Sequence, residues 1–252
     1  MQLIIHGMGQ MGQIILKEVQ NNSEIEIVAL VDAEYIHTTL PSFSTLKAVN
    51  INADVLIDFS HFSLLSQVLD FGKKTQTKLV LATTGYTEAD LAQIALASQD
   101  LAIFQSYNMS YGIAVIEQIL QNFATKLITD YDIEIIEKHH NQKIDAPSGT
   151  AKLLYKAIAE SVDTNLQPVY DRTTQTQKRA TNDVGMHAIR GGTIFGEHEI
   201  IFAGNDEIIE IKHSALSKKV FAVGSIKAAF ALLNENNGLF NNKIFVKDTD
   251  NN

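Results

Sequence analysis

The densest chemistry in this chain lies in one run: Glu137-Lys138-His139-His140-Asn141-Gln142-Lys143-Ile144-Asp145-Ala146-Pro147-Ser148-Gly149-Thr150-Ala151. Two histidines, two lysines and two acids precede a Pro-Ser-Gly-Thr segment that reads as a helix start, with proline in the first turn and Asp145 or Ser148 as the cap. A helix start offers free backbone N–H groups and a positive dipole end, which suit a carboxylate or a phosphate. Proton donors beside an anion cradle point to an acidic small-molecule substrate. A solvated loop that only capped a helix would not need this density of His, Lys, Gly and Thr. A histidine with a near-neutral pKa suits proton transfer, and a nearby lysine charge depresses that pKa. On an alternating strand His139 and His140 face opposite ways and need separate roles. The spacing of His139 and Lys143 lets both face one pocket across the loop.

These residues must be held by a scaffold, and the rest of the chain bounds it. At 252 residues the chain fits one large domain or two modest ones. A net charge of −9 speaks against nonspecific nucleic-acid binding, so an anionic ligand needs a local cluster of bases such as 138–143. No apolar run is long enough for a membrane span, and no basic, then apolar, leader opens the chain; a cytoplasmic protein without membrane attachment is expected. The absence of cysteine excludes disulfides and thiol catalysis. His187, His198 and His213 match no tight ligand spacing, so no metal is expected.

Short apolar runs alternate with helical patterns in the first third: strands at 3–5, 25–31, 55–57, 79–81 and 101–104, and helices at 11–19, 64–71 and 88–97. Strands separated by helices predict a parallel sheet covered on both faces. The stretch 35–52 is the least readable. A long helix fits 110–127, then a strand at 131–136 and a helix over 150–162. Residues 163–183 read as a polar loop, and 185–213 as strands split at Gly191-Gly192 and Gly204-Asn205. This predicts a second, α+β domain with an antiparallel or mixed sheet. A last helix spans 221–233, and the Asn-rich tail carries one apolar patch at Ile244-Phe245-Val246.

Gly7-Met8-Gly9-Gln10-Met11-Gly12 follows the first strand and opens a helix. G-x-G-x-x-G there allows a tight turn, close approach to a pyrophosphate and close helix–strand packing. Asp32 ends the second strand, about twenty residues on, where an acid bonds the ribose. Residues 33–36 contain no base to meet a 2′-phosphate, so the cofactor is NADH or NADPH with NADH favoured. Ala82-Thr83-Thr84 and Ser106-Tyr107-Asn108-Met109 follow later strands, where open α/β sheets bind ligands.

The run from Glu137 to Ala151 resembles E-x-H-H-x-x-K-x-D-A-P-S-G-T-A, the signature of the 4-hydroxy-tetrahydrodipicolinate (dihydrodipicolinate) reductase family, at every fixed position. Asp58-Phe59-Ser60, Thr83-Thr84-Gly85 (Ala82 replacing a glycine), Asn108-Met109-Ser110 (Met109 replacing an aromatic) and Arg190-Gly191-Gly192 through Gly196-Glu197-His198 resemble further family motifs. In other members the first glycine of the fingerprint falls at His6. The resemblance implies NAD(P)H-dependent reduction of a cyclic imine in lysine biosynthesis. His139 would be the general acid, assisted by Lys143. His140 would hold one substrate carboxylate, with the start of the helix at Ser148, Gly149 and Thr150 holding the other. It also implies a homotetramer built through C-terminal sheets, and a chain end that returns to the first domain. The expected fold class is thus α/β: an N-terminal Rossmann-like dinucleotide-binding domain, 1–108 plus about 220–252, and a C-terminal α+β domain with a mixed sheet, 109–219, for a small dicarboxylate substrate and for oligomerisation. Another two-domain dehydrogenase would share the glycine fingerprint but not the His139–Thr150 pattern. A silent NADH sensor would not need His139 and Lys143.

Overall fold

A computed structural model describes residues 1–173 and 175–246. In chain order the first part comprises β1 (Gln2–His6), α1 (Gln10–Val19), β2 (Glu26–Val31), β3 (Ser42–Phe43), β4 (Val55–Asp58), α2 (Leu65–Thr75), β5 (Lys78–Leu81), α3 (Glu88–Ala97) and β6 (Ala102–Gln105). The middle part comprises α4 (Tyr111–Leu127), β7 (Asp132–His139), α5 (Gly149–Ala159), β8 (Gln167–Val169), β9 (Asp183–Arg190), β10 (Gly196–Ala203) and β11 (Ile208–Ala215). The chain closes with α6 (Lys219–Leu233), β12 (Gly238–Phe240) and a short 3-10 turn, Asn242–Val246. It divides into two units: Met1–Tyr111 with Lys218 onward, and Gly112–Ser217.

The first unit is a seven-stranded sheet in the order β12-β6-β5-β4-β1-β2-β3. Every neighbouring pair is parallel. Alternation along the strands sends Leu3, Ile5, Val55, Ile57, Val80 and Phe104 to one face and Ile4, Leu56, Leu79, Leu81 and Ile103 to the other. Residues of α1 and α6 cover the first face, and residues of α2 and α3 the second. The Asn-rich tail holds a strand the sequence did not announce: β12 pairs Gly238, Leu239 and Phe240 with Ala102, Ile103 and Phe104. The two-residue β3 likewise lies inside the unreadable stretch, paired only at Leu30 and Val31. The patch Ile244-Phe245-Val246 lies in the 3-10 turn, with Ile244 buried. The expected first domain extends to residue 252, and 247–252 lie outside the described residues.

Lys78, at the start of β5, fixes the returning helix. Its Nζ donates to the carbonyls of Leu232, Leu233 and Glu235 at 3.0, 2.5 and 2.8 Å. These carbonyls lie at the negative end of α6, where a cation is stabilising. Lys78→Met should cost about 2 kcal/mol, the worth of a hydrogen bond to a charged group. The check is urea unfolding, with a lower midpoint at unchanged slope.

The second unit is a mixed five-stranded sheet in the order β11-β10-β7-β9-β8. β7 is central, antiparallel to β10 and parallel to β9. Its strict alternation buries Ile133, Ile135, Glu137 and His139. Ile133 and Ile135 join a core with Ile113, Ile116 and Leu120 of α4 and Leu154 and Ile158 of α5. Several boundaries differ from the sequence reading, β9 starting at Asp183 and β11 ending at Ala215 among them. β7 runs on to His139 instead of stopping at Ile136, because Lys138 pairs with Glu197 and His139 with Arg190. The polar loop 163–183 contains β8, edge-paired through Gln167–Val169. Helix α5 starts at Gly149 and ends at Ala159. Among the described residues no helix is long and apolar enough to cross a membrane.

Candidate active site

In the second unit Glu137 organises the site. Its side chain is buried and accepts four hydrogen bonds, two on each oxygen. Oε1 takes Arg190 Nη2 at 2.7 Å and the Ser148 backbone N–H at 3.0 Å. Oε2 takes Arg190 Nη1 at 2.7 Å and pairs with His139 Nδ1 at 2.6 Å. Burial pushes the Glu137 carboxyl up, but Arg190, His139 and the Ser148 N–H together hold it below the usual carboxylate range. An ionised Glu137 makes His139 Nδ1 the donor and leaves Nε2 as the atom that can carry and release a proton.

His139 ends β7 and is buried. Burial lowers its pKa, Glu137 opposes that, and the charges of Lys143 and Arg190 lower it further. The lysine effect expected from sequence has the right sign, but desolvation is the larger cause. Gly196 gives the ring its room: a Cβ there would lie 3.1 Å from His139 Nε2. The ring of His198 meets that of His139 edge-on at 5.2 Å, and its Nε2 lies 3.0 Å from Ser148 Oγ. Burial, with the charge of His139, pushes His198 down to about 3, so it is neutral throughout the physiological range.

Ser148 caps α5, its Oγ accepting the Ala151 N–H at 3.2 Å. Proline is thus not in the first turn: Pro147 precedes the cap and follows a cis peptide bond. Gly149 is exposed, with no atom within 4 Å of where a Cβ would sit, and Thr150 is buried one residue further. Lys143 bonds Asp145 at 2.7 Å, and the Asp145 carbonyl accepts Arg190 Nη2 at 2.6 Å. His140 is half-buried just past the strand, its carbonyl accepting the Lys143 N–H. His139, Lys143, Ser148, Gly149 and Thr150 therefore cluster around the carboxylate of Glu137 and the first turn of α5. Sequence reasoning assigned no role to Glu137, Arg190 or His198. The motif running from Arg190 to His198 was visible, but its partner Glu137 is brought in only by the pairing of β7 with β9 and β10. Among the described residues no three His, Asp or Glu side chains form a metal-ligand set.

In the first unit the other candidates gather at one edge, the carboxyl ends of parallel strands. Gly7, after β1, has φ +87°, and a Cβ there would lie 2.6 Å from the Phe59 carbonyl. No atom lies within 4 Å of a Cβ built on Gly9, so the turn's backbone is open to a ligand. Met8 and Gly12 are buried, Gln10 is exposed, and Met11 is half-buried and packs against the core. Asp32 closes the turn: Oδ2 accepts the Met8 N–H at 2.7 Å and Oδ1 the Glu34 N–H at 2.9 Å. Beneath the turn lies buried Asp58, whose Oδ2 accepts Thr83 Oγ1 at 2.9 Å and whose Oδ1 is 2.8 Å from His6 Nδ1. Ala82 is buried and Thr84 exposed. After β6, Ser106 Oγ donates to the Asn108 carbonyl and accepts the Asn108 N–H, leaving Tyr107 exposed and Met109 buried. A parallel sheet with an open glycine turn after β1 and an acid after β2 fits a dinucleotide.

Fold and residues define the class: an NAD(P)-dependent oxidoreductase with a Rossmann-type unit and a separate α+β unit. A family model described as the dihydrodipicolinate reductase N-terminus matches residues 1–109, and its C-terminal companion matches 112–245. The chain belongs to the dihydrodipicolinate reductase family. It is 51% identical over 240 residues to the 4-hydroxy-tetrahydrodipicolinate reductase of Exiguobacterium sibiricum, covering 95% of this chain and 94% of that one. With the enzyme of the same name from Caldanaerobacter subterraneus it shares 44% over 247 residues, 98% of each chain. A solved structure, dipicolinate-bound dihydrodipicolinate reductase from Paenisporosarcina sp. TG-14, shares the fold, with a TM-score of 0.80 and 22% identity over 98% of this chain and 99% of that one.

Proposed function

We propose that this chain reduces 4-hydroxy-tetrahydrodipicolinate to tetrahydrodipicolinate with NAD(P)H, in the diaminopimelate route to lysine. The observation that carries the mechanism is the Glu137 carboxylate gripped by Arg190 and the Ser148 N–H and bonded to His139 Nδ1. Loss of water from the substrate leaves a cyclic imine that takes up one hydride and one proton. The dinucleotide, when bound, supplies the hydride. His139 gives the proton from Nε2, and Glu137 stabilises the imidazolium before the transfer and fixes the ring's direction. Lys143 adds positive charge beside His139; a substrate carboxylate competes with Asp145 for it. His140 binds one carboxylate. Ser148, Gly149 and Thr150 receive the other at the start of α5, where the dipole favours an anion.

Gly7 to Gly12, with Asp32, Ala82, Thr83, Thr84 and Ser106 to Met109, bind the cofactor. NADH is preferred, because a 2′-phosphate would approach Asp32 with Glu34 beside it and no base at 33–36. We place the enzyme in the cytoplasm, where these dinucleotides are held. We also place it in a homotetramer formed through the second unit's sheet. There the eight-residue edge strand β11 has no second neighbour among the described residues, and Ile189, Ile208 and Ile209 are exposed.

The test is oxidation of NADH, with NADPH in parallel, on substrate generated from pyruvate and aspartate semialdehyde by the preceding aldolase. Rapid substrate-dependent oxidation is expected, with kcat/KM for NADH about tenfold or more above that for NADPH, the effect of about 1.4 kcal/mol of repulsion. Cofactor binding without turnover would favour a silent sensor instead. A preference for NADPH would overturn the reading of Asp32.

A further inference from the structure

Lys218 caps the start of α6 in the first unit, and its Nζ donates to Gln10 Oε1 at 2.6 Å. Gln10 is the first residue of α1, directly after Gly7-Met8-Gly9. Lys218 thus delivers an ammonium to the open glycine turn from 208 residues further along the chain. Three observations indicate what it is for. The partner of Lys218 is a neutral amide, whereas the adjacent Lys219 pairs with Glu18 at 2.8 Å. The turn itself, from Gly7 to Gln13, contains no lysine or arginine, although the pyrophosphate of a dinucleotide is doubly anionic. Finally, lysine at the positive end of a helix works against the dipole, and neither α6 nor α1 has an acid in its first turn to compensate.

We infer that Lys218 is a further cofactor-binding residue, whose ammonium, held at Gln10, pairs with the pyrophosphate of the bound dinucleotide. This rests on the cofactor site assigned above. It explains why the glycine turn can lack a base: the charge comes from the helix that returns to this unit after the second one is complete. Exposed to solvent, Lys218 needs only to exchange the amide oxygen for a phosphate oxygen, a stronger, charge-assisted acceptor.

The test is direct binding, independent of turnover. NADH and ADP-ribose, which keeps the pyrophosphate but lacks nicotinamide, are titrated into the full chain by calorimetry for wild type, K218Q and K218R. K218Q should raise Kd for both ligands about tenfold, the scale of one charge-assisted bond. It should also flatten the dependence of log Kd on log salt concentration, and K218R should restore both. Unchanged Kd in K218Q overturns the proposal, whether or not the unliganded protein melts earlier. Weakening of NADH but not of ADP-ribose also overturns it, by placing the lysine at the nicotinamide end. Failure of the wild type to bind NADH, NADPH or ADP-ribose would instead overturn the cofactor site itself.

Discussion

His139→Gln is expected to lower kcat about 100- to 10,000-fold while NADH binds as in wild type, because the substitution removes the proposed proton donor and leaves the first unit untouched. Its pH signature separates this from a packing defect. In the free enzyme burial depresses the His139 pKa below 6.5, with Lys143 and Arg190 adding to the effect. The acid form is therefore lost as pH rises, and kcat/KM falls on an alkaline limb that begins on the acid side of neutrality. Substrate brings two carboxylates to this cluster of positive charge, and these favour the imidazolium. The limb in kcat therefore lies at higher pH than the limb in kcat/KM. Both limbs should vanish in the glutamine variant. Retention of wild-type turnover, or of the limbs, would take the general-acid role away from His139.

Glu137→Gln is expected to be nearly as damaging, although the role proposed for Glu137 is to position His139. Each carboxylate oxygen accepts two donors. A glutamine amide turned either way therefore points its NH2 at two N–H groups. With the NH2 on the Oε2 side, it faces Arg190 Nη1 and His139 Nδ1, and the imidazole is driven to the Nε2–H tautomer. On the Oε1 side it faces Arg190 Nη2 and the Ser148 N–H. Either choice leaves the Arg190 guanidinium short of its counter-charge in a largely buried place, at a cost of about 3 kcal/mol in stability. We expect kcat to fall about 100-fold or more. Where the NH2 takes the Oε2 side, nitrogen NMR of the imidazole would show loss of the Nδ1–H form that the wild type holds, a readout a purely structural role would not move. The wild-type pairing also makes stability depend on pH in a defined direction. The Glu137 pKa is depressed in the folded state, so its contribution is fully present above the ordinary carboxylate pKa and is lost as pH falls through the folded value. A glutamine variant with wild-type kcat would show that Glu137 does not position His139.

The parts legible in the sequence were those with strong local patterns. The Val- and Ile-rich strands, the turn at Gly7 to Gly12, Asp32 and the helices with apolar stripes all announce themselves within a dozen residues. The short strands β3, β8 and β12 do not, because two or three residues carry no periodicity and are strands only by virtue of a neighbour. The extension of β7 to His139 was hidden for a similar reason. Lys138 and His139 look like loop residues until Glu197 and Arg190 pair with them. The charge balance at His139 depends on residues 51 positions downstream, where Arg190 enters, and no local window contains both. Asp32 illustrates a subtler gap. Its type and position were readable, but its bonds to the Met8 and Glu34 N–H groups were not, so its work in closing the glycine turn emerged only with the fold.

The clasp of Lys78 on the end of α6 has a consequence for the chain as it leaves the ribosome. When residues 1–217 have emerged, β1, β2, β4, β5 and β6 and the whole of the second unit have been synthesised. The face bearing Leu3, Ile5, Val55 and Ile57 still lacks Ala222, Ala228, Ala229 and Leu232, which complete its core. Strand β6 also lacks its neighbour β12. The earlier half of the polypeptide is therefore the later half to close. The nucleotide-binding unit is sealed only after the second unit has been synthesised.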